Sequence, residues 1–429
     1  MWGYWLFIVI EAFVMHLLLP ADALAMADVV YIGFICINTL ILLLVIGLRY
    51  GHDRMFMLLL TGGFLFRLLL LFWSEYFSHI FMLPNSGTDE MTYYYNAMSN
   101  LVKNTQFTGY AQFFAWQARI FGLSKIYGKF INVLFSVNAI LILRNILMER
   151  GVSYPTAVKT VALACFLPNF AIVSSLLLRE SAVIMLIAAA TYFLLRWWNR
   201  GSPAAMALSL VASVAAAWLH SGMIAYTLGT LCVVLISRRT LRGREFSLTS
   251  PRTVLLTVLT VSVLLMVLIN SGSALTSYFR GADSLEEIVA VSDAYEDGGS
   301  AYNANLVSNE STPGFIINTP VRMFYFLFAP LPWNWRSAPD IIAFAFSGLF
   351  YGYVFFKSAS LALKGSRYPL ISAGFLVMLL VVMIFGWGVS NSGTALRHRD
   401  KMVIHFLMMF ALLQEENAAG RYGKREISV

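Results

Sequence analysis

The chain has 429 residues, of which 59% are hydrophobic and only 12% charged, with a mean hydropathy of +0.72. A soluble domain carries about 25% charged residues, so a soluble globular enzyme is excluded and an integral membrane protein is indicated. The net charge of +8 is no nucleic-acid signature, because most Lys and Arg fall in short loops between apolar runs, where membrane topology places them.

A transmembrane helix needs about twenty apolar residues. In chain order, such runs lie near 4–20, 29–48, 55–73, 126–145, 156–177, 181–198, 204–219, 221–237, 252–270, 338–356, 368–388 and 402–414. The first, "MWGYWLFIVIEAFVMHLLLP", has no basic flank and no small-residue cleavage site, so it reads as a retained span. The expected fold is all-α: a polytopic integral membrane protein of about twelve transmembrane helices, forming a single domain over 1–429 without internal repeats.

The positive-inside rule orients these spans. With the N-terminus in the cytoplasm, the inner connections are "RYGHDR" (49–54), "RNILMER" (144–150), "RWWNRGS" (196–202), "SRRTLRGREF" (237–246) and "KSASLALKGSR" (357–367), followed by the tail "RYGKRE" (421–426). Every one is basic, and both termini come out cytoplasmic. The outer connections are 21–28, the segment 74–125 and a long loop, 271–337, that is acid-rich from Asp283 to Asp297. The outer loops 74–125 and 271–337 are the expected substrate site. Cys36, Cys165 and Cys232 all lie in apolar runs without Cys/His metal spacing, so neither a disulfide nor a zinc site is expected.

Four polar groups fall on the outer side of this threading. In "NSGTDEMTYYYNAM", Asp89 and Glu90 follow a flexible turn and precede Tyr93, Tyr94 and Tyr95; residues 90–123 then read as an amphipathic helix in the interface. The run from Thr156 to Leu195 is too long for one span, so two spans meet at a hairpin tip near Leu176–Glu180, which carries Arg179 and Glu180. His220 and Ser221 occupy a tight turn in "WLHSGM". Arg397, His398, Arg399, Asp400 and Lys401 cluster in "NSGTALRHRDKM", on the side where cations are disfavoured. Each has a plainer reading: a solvated acidic loop, an arginine snorkelling to headgroups, a hydrogen-bonded turn histidine, a lipid-binding basic patch. Arg67, inside the third span, should pair internally or reach the interface.

A guanidinium fork matches phosphate oxygens and keeps its charge, while a carboxylate can accept a proton from an attacking hydroxyl. Glycosyl transfer from a polyprenyl-linked donor needs both. "GTDEMTYYY", "LLLRESA", "WLHSGM" and "ALRHRDK" resemble the scattered motifs of bacterial exopolysaccharide and O-antigen polymerases of the Wzy and EpsG-like kind. "TPVRMFYFLFAPLPWNWRS", Thr319 to Ser337, resembles their re-entrant Pro- and Trp-rich segment; Pro330 and Pro332 forbid regular helix there.

The resemblance implies a glycosyltransferase of polysaccharide biosynthesis. It would transfer an undecaprenyl-pyrophosphate-linked glycan to the sugar end of a second lipid-linked unit, outside the inner membrane. Asp89, Glu90 and His220 would be catalytic. Arg179, Glu180, Arg397, His398, Arg399, Tyr94, Arg322 and Trp333 would bind substrate. Neither metal nor cofactor is called for; the implied partners are lipid-linked oligosaccharide, membrane lipids, and a flippase or chain-length regulator. Glu180 stands where many relatives carry Gln, and the Arg-x10-Gly pattern of some O-antigen polymerases is missing. The outer Asp-Glu pair is also similar to that of GT-C glycosyltransferases, which use polyprenyl-phosphate sugars. An O-antigen ligase and a lipid-linked sugar flippase remain the other readings.

Overall fold

In hydrocarbon every backbone N–H and C=O must be satisfied within the protein, and a lone apolar segment achieves this as a helix. The computed structural model describes residues 2–19, 23–105, 109–240, 243–270, 300–302, 312–364 and 368–426. Among them the fold is helical apart from one antiparallel hairpin, Arg238–Thr240 against Gly243–Glu245, and an isolated bridge between Ala301 and Asn391.

Each apolar run coincides with helix. Six helices are long and apolar enough to cross a membrane: Asp28–Tyr50, Arg54–Tyr76, Lys125–Glu149, Glu180–Arg200, Ala338–Ala362 and Pro369–Gly388. The pair Tyr154–Phe166 and Pro168–Ser174, bent by 52°, makes a seventh if taken as one broken span. By helix length and hydropathy this is a multi-pass membrane protein. Tyr4–Leu18, Pro203–Leu219 and Ser221–Ile236 are apolar but shorter.

Two local expectations are revised. The interfacial helix over 90–123 is two helices, Thr88–Lys103 and Gly109–Phe121. Asn104, in the left-handed region at φ 52°, ends the first of them, as a short polar side chain can. The loop 271–337 contains the helix Thr312–Phe328; Pro313 falls in its first turn, where a missing N–H is tolerated. That loop's acid-rich part, Asp283 to Asp297, and the Gly- and Asn-containing "GGSAYNANL" apart from 300–302, lie outside the described residues. "APLPWNW" is irregular as its prolines require, with a short 3-10 turn at Pro332–Asn334.

The described residues form two compact units: Met1–Leu141 with Val161–Met185, and Ile142–Thr160 with Leu186–Val429. In the first, Arg67 is fully buried in the helix Arg54–Tyr76. The break at Leu167–Pro168 leaves the last carbonyls of Tyr154–Phe166 without helical partners. Arg67 supplies donors to two of them, Cys165 O at 2.7 Å and Ala164 O at 3.0 Å, and also to Ser174 Oγ at 3.0 Å. Its guanidinium lies 4.7 Å from the Phe170 ring centroid. Glycine at 63 permits this approach, since a Cβ there would sit 2.8 Å from that of Cys165. The expected internal pairing of Arg67 is therefore with backbone rather than with a carboxylate.

In the second unit the central helix is Pro369–Gly388, which packs against Ile224–Ile236, Thr312–Phe328 and Leu349–Ala362. Gly229 allows the closest of these approaches: a Cβ there would lie 2.9 Å from the Val377 Cα. Small residues serve this purpose between membrane helices, where close backbone packing replaces the hydrophobic drive.

Candidate functional site

Two polar clusters contain most of the residues singled out by sequence, one in each unit.

In the first unit, the helix Thr88–Lys103 begins at Gly87, whose φ of 113° suits glycine. Glu90 is its third residue, is 4% exposed, and closes a capping arrangement by accepting from the Gly87 N–H at 3.3 Å. Its other oxygen accepts from the Leu177 N–H at 2.8 Å and faces Lys129 Nζ at 3.2 Å. Lys129, wholly buried, also meets Glu75 Oε2 at 2.9 Å and donates to Ser74 Oγ at 2.9 Å; Lys125 pairs with the same Glu75 at 3.2 Å. Two lysines thus balance two glutamates, which is how charge survives next to apolar surroundings.

One turn further along its helix, Asn132 donates to the carbonyls of Leu176 at 2.7 Å and Leu178 at 2.8 Å. Glu90 and Asn132 together hold two peptide groups, Leu176–Leu177 and Leu178–Arg179, of the turn that ends in Arg179. The expected hairpin tip is this turn, between Ser174 and Glu180. Arg179 is half-buried, and its Nε is buried without a hydrogen-bond partner among the described residues. Glu180 is fully buried at the first position of Glu180–Arg200, where the helix dipole favours a carboxylate. Asp89 is exposed on the first turn of its helix, and Tyr94 is half-buried. Tyr110 lies edge-on to Tyr93 at 4.9 Å and contacts Asn132 Oδ1 at 3.3 Å; burial raises its phenol above the ordinary range.

In the second unit, His220 follows the helix Pro203–Leu219 as its terminal cap, and His398 lies in the short helix Ser392–Asp400. Their Nε2 atoms are 3.3 Å apart, with rings edge-on at 4.7 Å and Phe385 against both. A hydrogen bond between two Nε2 atoms requires one to carry the proton and the other a lone pair. The pair is therefore a built-in donor and acceptor for a single proton.

Arg399, 2% exposed, donates to the carbonyls of Leu327 and Ala329, capping the end of Thr312–Phe328 before Pro330. Burial pushes its guanidinium down to about 10, so it stays charged at neutral pH. Asp400 accepts from Tyr351 OH at 2.9 Å, and Arg322 donates to Trp387 O at 3.2 Å. Tyr302 donates from its hydroxyl to Val389 O at 3.1 Å and from its N–H to Ser390 O at 2.8 Å, and stacks on Tyr325. This pins the segment 300–302 to the chain entering Ser392–Asp400. Arg397 is half-buried, and Trp333 is 67% exposed.

The structure thus brings Glu90 to the turn bearing Arg179, and His220 to His398. It commits Arg399 to backbone carbonyls and leaves Trp333 at the surface. Sequence reasoning missed Lys129, Glu75 and Asn132. Lys129 carries the same signal as Arg67, an ionisable group within an apolar run, and could have been found by it. Among the described residues no group of three His, Cys, Asp or Glu side chains could hold a metal ion. Comparison with family models, curated proteins and solved structures finds no match to the chain.

Proposed function

We propose that this protein is a membrane glycosyltransferase of the polysaccharide-polymerase kind, joining one polyprenyl-pyrophosphate-linked glycan to the sugar end of another. One observation carries this reading. Motifs far apart in the chain meet pairwise, "GTDEM" with "LLLRE" through Glu90 and the Leu177 N–H, and "WLHSGM" with "ALRHRDK" through His220 and His398.

We assign the roles residue by residue. Asp89, exposed at its helix start, takes the proton from the acceptor hydroxyl; Glu90, with both oxygens engaged, holds the Arg179 turn instead. The acceptor oxygen forms its bond to the donor anomeric carbon as the bond from that carbon to pyrophosphate breaks. The departing diphosphate keeps the electron pair, and Arg179, on the turn that Glu90 holds, stabilises its charge. In the second unit the His220–His398 pair can relay a proton. Arg399 supports this by holding its own helix rather than by touching phosphate.

Arg179→Lys keeps the charge and loses the planar fork. In a strain whose own copy is deleted, it should shorten or abolish polymer, with output down roughly tenfold or more, the scale of one charged hydrogen bond. Wild-type chain length at normal expression would remove the phosphate-clamp role.

The proposal includes the twelve-span threading in the bacterial inner membrane, with cytoplasmic termini and the four polar motifs outside. Single cysteines introduced beside 90, 180, 220 and 398 should all react with an impermeant thiol reagent in intact spheroplasts. Protection of any pair until the membrane is opened refutes the threading.

A further inference from the structure

A polar concavity lies in the connection between the helices Ile224–Ile236 and Pro251–Asn270, apart from every residue assigned above. Here the chain forms its hairpin, Arg238–Thr240 with Gly243–Glu245, and returns through Ser247 and Ser250 into the helix beginning at Pro251. A cavity of about 230 Å³ is lined by Arg238, Glu245, Ser247, Ser250, Arg252 and Thr253, among others.

The hairpin is anchored rather than loose. Arg244 lies over the Trp197 ring at 3.6 Å, a cation–π contact to an indole. Trp197 and Trp198 are adjacent aromatics near the end of Glu180–Arg200, the kind that marks a membrane–water boundary.

Three features of the wall describe an anion. Pro251 opens a twenty-residue helix, so the next backbone N–H groups, of Arg252 and Thr253, have no helical acceptor and carry the positive end of the dipole. Arg252 brings a guanidinium to the same first turn. Thr253 is 8% exposed, and its hydroxyl makes no hydrogen bond among the described residues. Opposing these is one carboxylate, Glu245, which pairs in register with Arg238; opposite charges directly across a hairpin offset each other. Two arginines and one glutamate leave the wall with a single net positive charge.

We propose that this cavity binds a phosphodiester monoanion, of the class carried by an anionic phospholipid headgroup, with the Arg252 guanidinium, the helix N–H groups and the Thr253 hydroxyl as its donors. The assignment is independent of the glycosyl-transfer reading.

The test uses full-length protein purified in neutral detergent and native mass spectrometry against four probes. These are phosphatidylglycerol, the tail-free diester glycerophosphoglycerol, inorganic phosphate, and diacylglycerol as the phosphate-free lipid. Phosphatidylglycerol should bind well above diacylglycerol. Arg252→Gln should weaken it about tenfold, and Thr253→Val about threefold, as expected for one charged and one neutral hydrogen bond. Glu245→Gln should tighten it, a gain that a damaged fold would not give. Binding of glycerophosphoglycerol as well identifies the diester alone as sufficient, whereas binding of the lipid only assigns the source to the membrane. Equal retention of phosphatidylglycerol and diacylglycerol, or no response to any of the three substitutions at wild-type thermal stability, overturns the proposal.

Discussion

Lys129→Met should destabilise the protein by about 3–5 kcal/mol, the range for removing one partner of a buried ion pair. The lysine is wholly buried between Glu75 and Glu90. Methionine fills its volume but leaves the Glu90 carboxylate facing hydrocarbon with only backbone N–H donors. The readout is the midpoint of thermal unfolding in detergent. Adding Glu90→Gln to the same chain removes the stranded charge and should recover much of the loss, because residues in direct contact are not additive. A wild-type midpoint for Lys129→Met would mean that the quartet with Lys125 carries no stabilising load. The functional consequence follows from the same contacts. Glu90 fixes the turn bearing Arg179, so activity should fall with stability in the single variant and return in part in the double.

Asp89→Asn should lower polymer synthesis by about 10²–10⁴, the usual contribution of a positioned general base. Asparagine has nearly the same shape but cannot take the acceptor proton. Asp89 is exposed, so the change should leave the unfolding midpoint within experimental error. That separates it from Glu90→Gln, which should reduce both activity and stability. Chain length by gel, normalised to membrane-inserted protein, decides the matter. Full-length polymer from Asp89→Asn would remove the base assignment while leaving the lysine–glutamate quartet untouched.

The helices were largely legible because length and apolarity are local properties. Every apolar run coincides with a helix, and the turn at Ser175–Arg179 follows from the run 156–195 being too long for one span. The break at Pro168 was less legible: the proline is plain in "FLPNF", but the apolar run continues through it, and only the donors of Arg67 explain how the break is tolerated. Thr312–Phe328 was hidden for the opposite reason. Its two prolines argue against helix, yet one lies in the first turn. In the candidate sites, the individual residues stood out as polar groups in apolar surroundings. Their partnerships did not. Glu90 meets Leu177 across 87 residues and His220 meets His398 across 178, and no periodicity encodes such separations. For Arg399 the sequence context shows only a cation among cations, while its acceptors are carbonyls some seventy residues away.

The bracing of the Leu167 break by Arg67 has a bearing on how the fold tolerates acid. A hinge held by a carboxylate would loosen as that carboxylate took up a proton. Here the acceptors are the carbonyls of Gly63, Ala164 and Cys165 and a serine hydroxyl, none of which titrates, and the guanidinium itself is effectively permanent. The kinked span is thus clamped by a joint that acid does not loosen.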